Sequence, residues 1–234
     1  MPAAETTESG SPLLPSVGLA VLHLFCQVGP DLEQDVVHKA VASMEADGYQ
    51  VVPVALLGHK ADLGLMVLGP DLWRLRQFQS AVQQAGAEPV ASYVSLTEVS
   101  EYAAGLPEEL RQARLFPQLP PEGKTAFCFY PMSKRRDGEA NWYRLDFDRR
   151  KELMLGHGKV GRTFAGRILQ VITGSTGLDD FEWGVTLFGV HPDDLKQCVY
   201  DMRFDEGSAV YAEFGPFYTG MVADIGTVLA ALIP

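Results

Sequence analysis

The chain has 234 residues, 47% of them hydrophobic and 21% charged, with a formal net charge of −11. That length allows a substantial core, in one large domain or two of about 110 residues, and the acidic balance argues against nucleic acid as the main partner. No apolar run reaches the ~18 residues of a membrane-crossing helix. Cys26, Cys128 and Cys198 are odd in number and contain no C-x-x-C, which argues against structural disulfides and a zinc knuckle and fits a reducing cytoplasm.

Residues 1–16 are acidic and rich in Ser, Thr and Pro, without the basic start and apolar centre of a signal peptide, and read as a disordered lead-in. Val17 to Val28 is apolar and reads as a strand. Asp31 to Asp47 carries Leu32, Val36, Val37, Ala40, Val41 and Met44 at helical spacing, with Asp31 as N-cap and Gly48 as the stop. Val51 to Leu57 and Leu63 to Leu68 read as strands around a turn at Gly58-His59-Lys60. Pro70-Asp71 opens a helix to about Gln84, and Pro89 to Leu96 is a further strand. The order β-α-β-β-α-β is the ferredoxin-like unit.

Residues 98–123, with Pro107, Pro117, Pro120 and Pro121, read as a linker holding a short helix around Glu108 to Arg114. The pattern then restarts. A strand through Phe127 to Lys134 is followed by a turn at Asp137-Gly138, a helix from Asp146 to about Val160, and strands over Arg167 to Thr173 and Glu182 to Phe188. A helix over Pro192 to Met202 and a last strand over Ala212 to Thr219 complete it. Both halves run a strand into a helix through Pro-Asp, at Leu63 to Leu72 and at Trp183 to Leu195. The expected class is α+β: two tandem ferredoxin-like halves, 17–97 and 124–220, forming a dimeric α+β barrel whose sheets face each other across a cavity, with residues 221–234 as a tail.

Chemistry concentrates in the second half. Residues 124–167 hold 11 of the 19 basic residues against 5 acidic ones. A positive zone in an acidic chain suits a small anionic ligand, although a solvated helix face carrying Arg144, Arg149, Arg150 and Lys151 explains part of it. Along Phe127 to Lys134, Cys128, Tyr130, Met132 and Lys134 alternate with Phe127 and Phe129, so a phenol and an ammonium two pleats apart can meet one ligand. Pro131 forbids one ladder hydrogen bond, which predicts an interruption or an edge there.

Gly156-His157-Gly158-Lys159-Val160-Gly161 satisfies G-x-G-x-x-G. A dinucleotide fingerprint needs a strand before it and a helix after it, and here the order is the reverse. Leu153, His157 and Val160 share one helix face, with glycines on both sides of His157 leaving room for something flat. A histidine so placed is either a hydrogen-bonded core residue or an axial ligand to haem iron. Gln170, among Leu169, Val171, Ile168 and Ile172, needs a partner that neighbouring backbone or a ligand can supply. Arg203 and Ser208 flank a turn where they can bind a carboxylate.

Tyr130-Pro131-Met132-Ser133-Lys134-Arg135-Arg136, Asn141-Trp142-Tyr143, His157-Gly158 with Gly161-Arg162, Glu182-Trp183-Gly184 and Tyr200-x-Met202-Arg203-Phe204-Asp205-Glu206 resemble the haem-dependent chlorite dismutase-like family, and within it the coproheme-decarboxylating branch. The resemblance covers roughly residues 114–220. It implies a homopentamer of two-part ferredoxin-like barrels with haem in the second half. It also implies a peroxide-driven oxidative decarboxylation of two propionates of iron coproporphyrin III (coproheme) to vinyl groups, giving haem b. By position, His157 is then the iron ligand, Tyr130 the radical-forming residue and Lys134 its helper at the second propionate. Arg203, Ser208 and Arg114 match propionate-binding positions. Gln170 stands where the chlorite-cleaving relatives keep an arginine, which argues against that activity. Asp205 and Glu206 are both candidates to hold the other ring nitrogen of His157. Pathway logic adds ferrochelatase as a transient partner. The alternatives are a peroxidase or chlorite dismutase on the same fold, or a haem carrier or sensor without turnover.

Overall fold

A computed structural model describes residues 11–103 and 105–232; most of the expected lead-in lies outside them. The first half contains β1 (Ala20–Val28), α1 (Gln34–Ala46), β2 (Gln50–Leu56), β3 (Leu63–Gly69), α2 (Leu72–Gln84) and β4 (Ala87–Thr97). The connection carries a 3-10 turn and α3 (Glu108–Leu115). The second half contains β5 (Ala126–Lys134), a two-residue hairpin of β6 (Arg136–Asp137) and β7 (Ala140–Asn141), α4 (Phe147–Arg162), β8 (Ile168–Gly174), β9 (Trp183–Gly189) and α5 (Pro192–Met202). It ends with α6 (Glu206–Ala209), β10 (Ala212–Phe214), β11 (Tyr218–Val222) and α7 (Ile225–Leu232).

The strands of the first half pair in the order β4-β1-β3-β2, and those of the second in the order β8-β9-β5-β11, the same arrangement. The halves join twice. Leu96 and Thr97 of β4 pair with Gly174 and Thr173 of β8, and Gly220 to Val222 of β11 pair with Leu56 to Val54 of β2. With β5 paired to β9, eight strands close into a ring, a mixed α+β barrel with helices outside.

The interior of that barrel is filled, not open. Phe25, Phe127, Phe129, Phe188, Val21 and Met66 meet there, with the Phe25 and Tyr218 rings stacked at 3.8 Å. Large aromatics from both sheets interdigitate and exclude the expected central cavity. Alternation explains the partition: Val21 and Phe25 of β1 point inward, while Ala20, Leu22, Leu24 and Cys26 join Val37, Val41 and Met44 of α1 in the outer core of the first half. The second half repeats this, with Phe127 and Phe129 inward and Cys128 and Tyr130 outward beneath α5.

Three local expectations are corrected. First, α1 starts at Gln34, with Glu33 as its N-cap. The chain before it is held by the Glu33 N–H donating to the Ala85 carbonyl at the end of α2 (2.8 Å). Second, the last strand is two strands. Gly215, Pro216 and Phe217 separate β10 from β11, and both strands lie on the same edge of β5. Third, β5 runs unbroken through Pro131 and is paired on both sides. The gap between β10 and β11 faces Pro131, whose carbonyl accepts from Gly215 N–H (2.8 Å). The missing proline donor therefore falls where no ladder bond is called for.

Candidate active site

The outer face of the second sheet lies between α4, α5 and the turn that α6 makes. Asp146 starts α4 by accepting from the Arg149 N–H (2.8 Å), a side-chain cap that offsets an orphan backbone donor. The helix then runs through all three glycines of the G-x-G-x-x-G match, so that stretch forms no phosphate-binding loop. It puts His157 on the inner side of the helix with its side chain 30% exposed. At Gly161, one turn on, a Cβ would stand 3.0 Å from Met202 Cε of α5 and 3.6 Å from Gln170 Nε2 of the sheet.

His157 is anchored through one nitrogen. Its Nδ1 is 2.9 Å from Asp205 Oδ2 and 3.3 Å from Ser208 Oγ. Asp205, not Glu206, is therefore its carboxylate partner; Glu206 pairs with Arg149 on the surface. Burial pushes the Asp205 carboxyl up, and the hydrogen bonds from His157 and Ser208 outweigh that and hold it below its ordinary value. An ionised Asp205 fixes the tautomer with hydrogen on Nδ1 and leaves the Nε2 lone pair to a metal, the usual arrangement of an iron- or zinc-bound histidine. The residues present fit an axial imidazole.

Tyr130 is 5% exposed on β5. Its ring stacks on Phe217 with centroids 4.5 Å apart and meets Phe214 edge-on. Burial pushes its phenol well above the usual range, so it is a neutral hydroxyl at any working pH. Phe214 and Phe217 line a cavity of about 700 Å³ together with Arg135, Arg203 and Ser208. The Arg203 guanidinium lies over the Phe214 ring at 5.0 Å, and among the described residues no carboxylate pairs with it. An unpaired guanidinium beside an aromatic-lined cavity suits a bound carboxylate.

Lys134 is also buried, 7% exposed. Its ammonium does not reach toward Tyr130. It donates to the Gly207 carbonyl (2.8 Å) and sits 4.3 Å over the Trp142 ring, while its backbone N–H donates to the buried Glu182 carboxylate (2.7 Å). Burial pushes the ammonium down to about 8, against the opposing charges of Asp205 and Glu182. The unfolded value is higher, near ~10.4. Between the two, the unfolded chain binds more protons, so the contribution of Lys134 to stability rises with pH across that window, by ~3 kcal/mol at most. Urea unfolding at about pH 7.5 and about pH 10 is expected to show that rise in the native chain and a smaller one in Lys134→Met. Equal rises would mean that the ammonium is not buried in solution.

Gln170 projects from β8 on the same outer face, its amide 3.6 Å from Cys198 Sγ. Its neighbour on that face, Ile172, is 42% exposed, so this part of the sheet is left uncovered. Arg114 stands apart on the exposed side of α3, the one member of the expected set that no contact joins to the others among the described residues. Sequence reasoning missed Trp142 and Gly207 as the holders of Lys134; the Asn141-Trp142-Tyr143 motif was the available signal for the first.

The chain is similar to known proteins in sequence and in fold. The family model described as chlorite dismutase matches residues 33–223. A coproheme decarboxylase of Staphylococcus saprophyticus is 46% identical over 177 residues, 71% of this chain and 70% of that protein. A protein of Natronomonas pharaonis named as heme-binding is 45% identical over 183 residues, again 71% of this chain, which spans only 30% of that protein's length. Among solved structures, one described as a novel heme-binding protein from Thermus thermophilus superposes with a TM-score of 0.83 at 34% identity, over 95% of this chain and 99% of that one. A chlorite dismutase variant from Candidatus Nitrospira defluvii superposes at 0.76 with 19% identity, over 94% and 98% of the two chains, a likeness of fold.

Proposed function

This chain belongs to the chlorite dismutase family, and from that footing we propose that it is a coproheme decarboxylase, converting two propionates of iron coproporphyrin III to vinyl groups with hydrogen peroxide and releasing haem b. The observation that carries the reading is Tyr130: a buried, neutral phenol stacked on Phe217, the ring that lines the cavity holding Arg203. A relative that bears this activity by name, at 46% identity, supports it.

Coproheme is substrate here, and peroxide reacting at its iron supplies the oxidising equivalents. Each step consumes one peroxide and one proton with the propionate, and yields the vinyl group, carbon dioxide and two waters. His157 holds the iron through Nε2, with Asp205 keeping the hydrogen on Nδ1. Tyr130, once it has lost a hydrogen atom, takes one from the propionate chain beside it. Lys134 pairs with the second carboxylate after leaving Gly207. Arg203 and Ser208, which line the cavity, bind propionates, and four carboxylates on the substrate against two on the product favour release after the second step. Gln170, a neutral amide where a chlorite-cleaving site needs a guanidinium, fits a peroxide-driven reaction. The reading includes a cytoplasmic homopentamer, residues 17–97 and 124–220 as the two structural halves, and transient contact with ferrochelatase.

The test mixes purified protein with iron coproporphyrin III, titrates hydrogen peroxide, and follows the porphyrin by mass. Two successive losses, each of one carboxyl plus one hydrogen and ending at haem b, are expected. Tight binding with no change of mass would overturn the reaction and leave a haem carrier. Oxygen release on adding chlorite would turn the assignment to dismutation.

A further inference from the structure

The iron ligand and the buried lysine rest on the same four residues of chain. Asp205 and Ser208 hold Nδ1 of His157 at 2.9 and 3.3 Å. Between them, the Gly207 carbonyl accepts the Lys134 ammonium at 2.8 Å, and Trp142 closes over that ammonium at 4.3 Å. The turn has no slack. A Cβ at Gly207 would stand 3.0 Å from Asp205 Oδ1 and 3.7 Å from the Leu153 carbonyl of α4. Asp205 Oδ1 is itself buried with no hydrogen-bond partner, so the carboxylate is held in place by its other oxygen and by the backbone around it. A buried charge-assisted bond from lysine to the backbone is among the stronger restraints a short turn can receive.

We propose that Lys134 is a positioning residue for His157, acting through α6: its hold on the Gly207 carbonyl keeps Asp205 and Ser208 in register with the imidazole. A carboxylate that draws the ammonium away loosens α6 and weakens the hydrogen bond at Nδ1; when that carboxylate is gone, the ammonium returns and the bond tightens. The iron ligand thereby senses whether a carboxylate is engaged at Lys134. This deepens the function proposed above and rests on it for His157 as the iron ligand and for the identity of the ligand that moves the lysine.

Lys134→Met keeps the stem across Trp142 and deletes the donor. In the ferrous complex with iron protoporphyrin, the iron–histidine stretch of this variant, read by resonance Raman, is expected at lower frequency than in the native chain, the direction of a weaker bond at Nδ1. In Tyr130→Phe it is expected to stay in place. Histidine-selective 15N NMR of the porphyrin-free chain gives a second reading, with the His157 ring moving from one tautomer toward a mixture in Lys134→Met. That measurement needs no turnover and no haem, so a failed decarboxylation assay leaves it standing. An unchanged stretch and unchanged ring shifts in folded Lys134→Met overturn the proposal. If that variant does not fold, Trp142→Phe replaces it: a smaller shift in the same direction supports the coupling, and no shift overturns it.

Discussion

Tyr130→Phe is expected to bind iron coproporphyrin III as the native chain does and to leave all four of its carboxylates in place when peroxide is added. The substitution removes one oxygen and keeps the ring on Phe217 and Phe214, so neither the packing of β5 nor the cavity changes shape. A buried Tyr to Phe change in an apolar cluster is also mild for stability, since no cavity opens. The reaction, in contrast, loses the only hydroxyl proposed to pass a hydrogen atom from the propionate. Removal of a positioned proton-transfer group costs about 10²–10⁴-fold in rate, and removal of the group that breaks the bond itself costs at least that. Porphyrin mass after stopped turnover measures this directly. Normal haem b output from Tyr130→Phe would remove Tyr130 from the mechanism.

His157→Ala carries the second large effect. Loss of the imidazole takes away the side chain proposed to hold iron and strands Asp205, whose carboxylate is 7% exposed and bonded to that ring. Porphyrin affinity is expected to fall at least about tenfold, or ~1.4 kcal/mol, with the Soret band displaced, and added imidazole is expected to restore the band in part. Absorption titration reads both. A native spectrum in His157→Ala would point to a different axial group.

Much of this was readable from residue order. Apolar spacing located the six elements of each half, and the repeated Pro-Asp entry to α2 and α5 disclosed the tandem arrangement, because local pattern and burial agree there. Pairings across long separations were readable only in part. The resemblance narrowed the partner of His157, 48 residues away, to Asp205 or Glu206, whereas nothing pointed from Lys134 to Gly207, 73 residues away, because no periodicity relates such positions. Lys134 was expected to act beside Tyr130 because strand alternation puts both on one side. A long side chain is free to turn along the strand, and the Gly207 carbonyl and the Trp142 face offered a buried ammonium more than an apolar cluster did. The barrel interior was misjudged for a related reason: alternation says which residues point inward, but whether two inward faces leave space depends on the volume of the residues that meet, here phenylalanines from three strands.

The closed ring of strands also decides how this molecule can associate. The ring closes through short seams, two residue pairs between β4 and β8 and three between β11 and β2, and the start of β2 is roofed by the connecting segment, where the Gln50 side chain donates to the Pro117 carbonyl (2.9 Å) and accepts from the Leu119 N–H (2.7 Å). Before Leu96, β4 pairs with β1 alone among the described strands, so its outer edge keeps backbone that can template another strand. Association of this chain therefore has two routes, main-chain pairing along that edge or contact through helix and loop surfaces, where side chains choose the partner and the number of copies is set by the angle between faces.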